Sequence, residues 1–253
     1  MNNKQFVGGF VSVKSILEGN SREIYQIYFE KDRYHNVMES KFHAAEKRQY
    51  EYIERSGAKT AFVSKEEFDS IVDGTTTGGI AAEVGPRRFI SLDTLLQTKS
   101  GYYTILDGIE DPFNFGYALR ALYAAGVDGV ILPKRNFFTA TETVARASAG
   151  ASELMPCCEM DNLVDACKEM KARGIRIIST AKTEKAKDVF RTNFHRPVCM
   201  VYGGEKRGIS AEVLDQCDMT VKIKYPRNCH YSLPACSAIS IIAFEVAKKM
   251  SYR

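Results

Sequence analysis

The stretch that decides the fold class is Tyr102-Tyr-Thr-Ile-Leu-Asp107-Gly-Ile-Glu-Asp111-Pro-Phe-Asn114-Phe-Gly116-Tyr-Ala-Leu-Arg120. An apolar run of strand length stops at Asp107. Asp111 and Asn114 are residue types whose side chains accept hydrogen bonds from the free N–H groups at a helix start, and Gly126 is a helix stop. The stretch therefore predicts a strand, a loop and a helix near Gly116–Ala125. Toward the C-terminus the unit recurs. Gly129-Val-Ile-Leu-Pro133 is a strand, and a helix is expected near Thr141–Ala149. A short strand follows in Glu153-Leu-Met-Pro-Cys157, then a helix over Leu163–Arg173 and a strand over Ile175–Ser179. Val198-Cys-Met-Val-Tyr-Gly-Gly204 and Val221-Lys-Ile-Lys-Tyr225 are further strands, and an apolar helix runs from about Pro234 to Lys249. Alternating strands and helices predict an α/β domain with a mostly parallel sheet flanked by helices. Ligands of such sheets bind at the carboxyl ends of the strands.

Toward the N-terminus the rhythm differs. Tyr25–Phe29 alternates like a strand, and Asn36–Arg55 is charged and helix-friendly. Lys59–Val63 is a short strand, Lys65–Ile71 a helical turn or two, and Gly74–Gly79 is rich in turn formers ahead of a strand at Ile80–Val84. Gly85-Pro-Arg-Arg88 breaks the pattern. We expect a small α/β domain over residues 1–86, a linker over 87–100 and the second domain over 101–253.

Composition narrows the class. Of 253 residues, 45% are hydrophobic and 26% charged, as in ordinary globular chains. No apolar run is long enough to span a bilayer, and the opening Met-Asn-Asn-Lys-Gln lacks a secretory apolar core, so a cytoplasmic location with no membrane partner is expected. Seven cysteines, an odd number with no Cys-x-x-Cys pair, argue against a disulfide framework and against a metal site. A net charge of +4 permits an anionic partner without requiring one.

Two further loops carry chemistry. Val201-Tyr-Gly203-Gly204-Glu205-Lys-Arg-Gly208-Ile-Ser210 sends a strand into two glycines and a carboxylate. Glycines at a strand's carboxyl end suit backbone contact with a flat ligand, and Ser210 could cap the next helix. In Ile223-Lys-Tyr-Pro-Arg-Asn-Cys-His-Tyr-Ser232-Leu233-Pro234, Ser232 is a plausible N-cap and Pro234 fits a first helical turn. By spacing alone, a capped helix with one surface arginine accounts better for the first segment and a tight turn equally well for the second, while a packing helix leaves the polar loop Arg227–Tyr231 of the third unexplained.

Together and in this order the segments resemble the SpoU (TrmH-type) family of RNA ribose methyltransferases, in the SPOUT superfamily. Asp111, Pro112, Asn114, Gly116 and Arg120 match the family's first motif, and Gly203, Glu205 and Gly208 its second; Arg146–Pro156 is similar to the family's segment at that place. Ser232-Leu233-Pro234 stands where the family reads Ser-Leu-Asn. More weakly, residues 1–86 resemble a ribosomal-protein, kink-turn-binding type of RNA-binding domain, through Gly9-Phe-Val-Ser-Val and Gly78-Gly-Ile-Ala-Ala.

The resemblance implies a trefoil knot at the C-terminus, a homodimer formed by the knotted domain, and transfer of methyl from S-adenosylmethionine to a ribose 2′-hydroxyl of ribosomal or transfer RNA, with ribosomal RNA favoured. It implies Arg120, Asn114, Glu205 and Ser232 as catalytic residues, and Thr180, Ala181, Gly203, Gly204, Ile223, Leu233 and Ala238 as cofactor-binding. A guanidinium is almost always protonated, so Arg120 is read as a clamp on phosphate and developing alkoxide. Lys134, Arg135, Arg146, Lys206, Arg207 and Arg227 are candidates for RNA phosphate contacts. The proline leaves one alternative open, a homologue that binds RNA or cofactor without transferring a methyl.

Overall fold

The computed structural model describes residues 5–72, 77–109 and 111–251; the turn-rich Gly74–Thr76 lies outside the described residues. In chain order the first elements are β1 (Gln5–Gly8), α1 (Phe10–Gly19), β2 (Ile24–Glu30), α2 (Lys31–Glu39), α3 (Ala44–Arg55), β3 (Thr60–Val63), α4 (Lys65–Ile71) and β4 (Ile80–Val84). Next come α5 (Leu92–Leu95), β5 (Tyr102–Asp107), α6 (Pro112–Ala124), β6 (Gly129–Pro133), α7 (Thr141–Ala147), α8 (Ala151–Leu154) and β7 (Cys157–Met160). The chain closes with α9 (Leu163–Ala172), β8 (Arg176–Thr180), β9 (Lys187–Asp188), β10 (Val198–Gly203), α10 (Ala211–Leu214), β11 (Met219–Lys222) and α11 (Ala235–Ser251). It divides into two compact units, one of residues 1–88 with 138–154, the other of residues 89–137 with 155–253.

The first unit holds a four-stranded sheet in the order β1-β4-β2-β3. β4 runs antiparallel to both its neighbours, and β3 lies parallel to β2. Its core gathers Val13, Ile16, Ile27, Phe29, Tyr50 and Ile53, joined by Ala145 from α7. The single helix expected over Asn36–Arg55 is two helices, because Ser40 adopts an extended backbone that ends α2. Ser64 opens α4 with a reciprocal capping box, accepting from the Glu67 N–H while the Glu67 carboxylate accepts from its own.

The segment 138–154 enters this unit through close backbone approach and one buried charge pair. A Cβ on Gly19 would lie 2.3 Å from the Glu153 carbonyl oxygen, and one on Gly150 would lie 2.1 Å from Ser15 Oγ. The Glu153 carboxylate is fully buried; it accepts from Ser21 Oγ at 2.6 Å and from Arg22 Nε at 3.1 Å. Arg22 also donates to Gln5 Oε1 at 3.0 Å.

The second unit is a seven-stranded sheet in the order β7-β6-β5-β10-β8-β11-β9, parallel at every pairing. From β5 the chain steps outward through β6 and β7, then crosses to the other half, where β10 lies between β5 and β8. This is the reversal point at which open α/β sheets hold ligands. One side buries Tyr103, Ile105, Ile131, Met170, Ile177 and Val201 under α9, and α6 and α11 pack against each other. Cys157, Cys158, Cys167 and Cys199 are buried, and burial raises the Cys167 thiol to about 11. These cysteines fill space as small hydrophobes. The strand expected in Glu153–Cys157 begins only at Cys157, since α8 ends at Leu154. β9 had no signal in the sequence, being two residues long. Among the described residues no helix is long and apolar enough to cross a membrane.

Removing one partner of a buried ion pair leaves the other charged and unpaired. Glu153→Ala is expected to destabilise the first unit by about 3–5 kcal/mol, read as a lowered midpoint in urea unfolding. A loss under about 1 kcal/mol would mean that Arg22 regains water or another acceptor.

Candidate active site

Three strand ends and the start of α11 enclose a cavity of about 530 Å³. Thr180 and Ala181 follow β8, Gly203 and Gly204 follow β10, Ile223 follows β11, and Leu233 and Ala238 flank and enter α11; all seven line the cavity. Glu205 and Ser232 line it too. Val221 and Ile242 complete an apolar wall, while the strand-end loops present polar backbone edges.

The loop after β10 is drawn tightly onto the end of β5. A Cβ at Gly203 would lie 2.2 Å from the Gly208 carbonyl carbon and 2.4 Å from the Ile209 nitrogen, so only glycine allows this approach. The Gly204 N–H donates to the Asp107 carbonyl at 3.1 Å. The Asp107 carboxylate accepts from Ser210 through both its N–H, at 2.8 Å, and its hydroxyl, at 2.7 Å. Ser210 thus does not cap α10 with its side chain; its hydroxyl answers Asp107 instead.

Glu205 joins the three segments picked out in the sequence. Its Oε1 accepts from Asn114 Nδ2 at 3.2 Å and from the Ala235 N–H at 3.0 Å. Asn114 is held within the first turn of α6, whose N-cap Asp111 accepts from the Phe113 N–H at 2.8 Å. The carboxylate also sits at the positive end of α11. Ser232 was expected to cap α11, but the helix begins at Ala235 and its first N–H goes to Glu205. Pro234 fits the helix start: its carbonyl accepts from the Ala238 N–H at 3.0 Å.

The loop between β11 and α11 has its own fastening. The Tyr225 hydroxyl accepts from the Leu233 N–H at 3.0 Å, and the Lys182 ammonium lies 5.5 Å from the Tyr225 ring centroid. Beneath the cavity, burial pushes the phenols of Tyr202 and Tyr102 upward. Both stay neutral at physiological pH, so neither serves as a base.

Not every expected residue converges. Arg120 is exposed on α6 and does not line the cavity of its own chain. Lys206 and Arg207 are exposed beside Glu205, and Arg227 is exposed on the β11–α11 loop. Lys134 forms a 2.7 Å bridge to Asp161, which stabilises its ammonium, and Arg135 beside it is exposed. Arg146 belongs to the other unit, 3.8 Å from Glu142. The sequence reading passed over Lys182, Tyr202, Lys222, Tyr225 and Ile242, all of which line the cavity. Ile242 was the recoverable one, being one helical turn beyond Ala238.

The arrangement corresponds to a known class. Residues 101–244 match the SpoU rRNA Methylase family and residues 6–90 match the RNA 2′-O ribose methyltransferase substrate-binding family. A TrmH family protein of Staphylococcus saprophyticus is 35% identical over 195 residues, 75% of this chain and 77% of the relative. Another from Staphylococcus aureus is 39% identical over 176 residues, 68% of this chain and 70% of the relative. The SpoU methyltransferase AviRb from Streptomyces viridochromogenes, solved with the cofactor AdoMet, superimposes with a TM-score of 0.79 at 19% identity, over 97% of this chain and 89% of that one. The AdoMet-bound rRNA methyltransferase from Sinorhizobium meliloti gives 0.77 at 19% identity, over 97% and 87%. The chain belongs to the SpoU family of RNA methyltransferases.

Gly203→Ala forces a side chain into backbone that cannot yield like a flexible tip. The expected result is a destabilisation of about 1–3 kcal/mol, as for other overpacked sites, measured by chemical denaturation. An unchanged midpoint would show that the loop after β10 moves freely.

Proposed function

We propose that this protein transfers the methyl group of S-adenosylmethionine to a ribose 2′-hydroxyl of RNA in the cytoplasm, with ribosomal RNA favoured over transfer RNA. The observation that carries the reading is that the seven residues the family resemblance implies for cofactor binding all line one cavity. Its volume of about 530 Å³ falls in the range of small-molecule sites, and its apolar walls with polar loop edges suit a flat heterocycle bearing a polar tail. The substrate-binding family model matched by residues 6–90 supports the ribose 2′-hydroxyl as acceptor.

Thr180, Ala181, Gly203, Gly204, Ile223, Leu233 and Ala238 would hold S-adenosylmethionine, which when bound supplies an electrophilic methyl on a sulfonium. The protein's task is orientation and exclusion of water. Glu205 and Asn114 hold the loops in register. Ser232, at the cavity, offers a hydroxyl to the acceptor ribose. Arg120 steadies the negative charge that grows on the ribose oxygen as its proton departs, and shares that task with an RNA phosphate.

Arg120 reaches a cavity only if a second copy of the chain is present. It lies on a face of α6 where Phe113, Tyr117 and Tyr123 are 57%, 47% and 43% exposed, next to α11 with Ile241 and Phe244 uncovered. An apolar patch of this kind marks an interaction surface. A homodimer through this face covers it and brings Arg120 toward the partner's cavity. The same reading carries the trefoil threading of the chain around α11. The Ser-Leu-Pro sequence is compatible with transfer, because Pro234 and Glu205 together form an intact helix start at the cavity.

Arg120→Ala is expected to leave S-adenosylmethionine affinity unchanged by calorimetry and to lower kcat for methyl transfer to ribosomal RNA by about 10²–10³. Transfer at the wild-type rate would remove the role given to Arg120. A wild-type protein that binds cofactor and RNA but transfers no methyl to ribosomal or transfer RNA would favour the binding homologue instead.

A further inference from the structure

The free edge of the seven-stranded sheet carries a second hollow, of about 440 Å³, with Arg176, Lys187, Asp188, Arg191, Asn193 and Met219 in its wall. Arg176 and Met219 open β8 and β11, whereas Thr180 and Lys222, at the other ends of the same strands, line the cofactor cavity. β9 pairs with β11 so that Lys187 is opposite Val221 and Asp188 opposite Lys222, and Val221 and Lys222 line the first cavity. Three to four residues of strand, at about 3.3 Å each, separate the two hollows by roughly 10–13 Å, a distance that an extended RNA strand covers in a few nucleotides.

Cations continue between the two hollows. The loop from β8 to β9 carries Lys182 at the first cavity and then Lys185, with Glu184 its one acid. Lys224 is exposed just beyond β11. Among the described residues, Arg176, Lys185, Lys187 and Lys224 have no carboxylate within ion-pair distance, and Arg191 is paired only loosely with Asp188, at 3.9 Å. Cations gathered along one face are the electrostatic footprint of an anionic partner.

The turn that presents this edge is fixed rather than loose. The Lys249 ammonium on α11 donates to the carbonyls of Val189, Phe190 and Thr192 at 3.0, 2.7 and 2.8 Å. Asp188 accepts from the Phe190 N–H at 3.0 Å, and the Thr192 hydroxyl donates to the Asp188 carbonyl at 2.8 Å. Arg191 and Lys187 therefore stand on a preorganised scaffold, and the exposed ring of Phe190, between them in sequence, adds a stacking surface of the kind single strands use.

The geometry points to this edge as a track for the RNA sugar–phosphate backbone, engaging nucleotides a few positions from the one at the cofactor cavity. Arg176, Lys187 and Arg191 contact the phosphates in the outer hollow, and Lys185 and Lys224 bridge to the mouth of the inner one. The inference rests on the proposal that RNA is the substrate. It adds a contact surface separate from Lys134, Arg135, Arg146, Lys206, Arg207 and Arg227.

The test compares wild-type protein with the triple variant Arg176→Gln, Lys187→Gln, Arg191→Gln, and with Lys168→Gln on α9 as a control. Binding of a fluorescein-labelled 30-nucleotide mixed-sequence single-stranded RNA is titrated across a salt series. Each phosphate contact contributes about 0.7 to the logarithmic salt slope for single strands, so the triple variant should lose about two from the slope. Its affinity should fall about tenfold or more near 0.1 M salt, with S-adenosylmethionine affinity and melting temperature retained. A triple variant with wild-type slope and affinity overturns the track, and methyl transfer by the wild type would then still support the RNA reading. A lost slope in a protein whose wild type methylates no RNA keeps the track and removes the methyltransferase reading. A wild type that binds no RNA overturns both.

Discussion

One carboxylate oxygen connects the parts of the catalytic unit. Glu205 Oε1 accepts from the side-chain amide of Asn114 and from the first N–H of α11, residues 91 and 30 positions away along the chain. As an exposed group at a helix N-terminus it contributes only about 0.3–1 kcal/mol. Its importance is therefore positional. The loop after β10, the first turn of α6 and the start of α11 belong to distant stretches of sequence, and each has local fastenings of its own. Glu205 ties all three at the rim of one cavity.

That link works because the sheet has already brought the strand ends together. Insertion of β10 between β5 and β8 places Gly203 beside Asp107 in register. The missing Cβ at Gly203 then lets Gly208 and Ile209 close onto the strand end, and Asp107 takes both donors of Ser210. Strand order, a missing side chain and a carboxylate thus act in series, and the cavity follows from them. Its buried phenol, Tyr202, remains neutral, while the charged groups of its lining are Lys182, Glu205 and Lys222.

Much of this was legible in the sequence, for a physical reason. Parallel strands buried on both faces are continuous apolar runs, so β5, β6, β8 and β10 were visible as such, and glycines and polar residues set their loops apart. Seven of the residues lining the cavity were those the family resemblance implied for cofactor binding, while Lys182, Tyr202, Lys222, Tyr225 and Ile242 were not among them. What was hidden had weak local signals. β9 is two residues long and is held by the edge of β11, and the turn that follows it is held by Lys249, 61 positions beyond the last residue of β9. The break between α2 and α3 contains neither proline nor glycine. Ser210 and Ser232 have the residue type of helix caps, yet carboxylates from other segments, Asp107 and Glu205, took over the bonds at those positions, which no local pattern can reveal. The exposure of Arg120 likewise depends on the packing of α6 against α11.

The burial of Glu153 against Arg22 has a consequence for how the molecule is made. Arg22 leaves the ribosome early, while its counter-charge lies about 130 residues behind it. At about 5–20 residues per second, the first 88 residues are made several seconds ahead of α7 and α8, with a guanidinium awaiting its acceptor. The N-terminal unit is consequently not a detachable module. Recombination that exchanges only the leading stretch between relatives must also match the small helical insert encoded downstream, so the two pieces are expected to evolve as a pair.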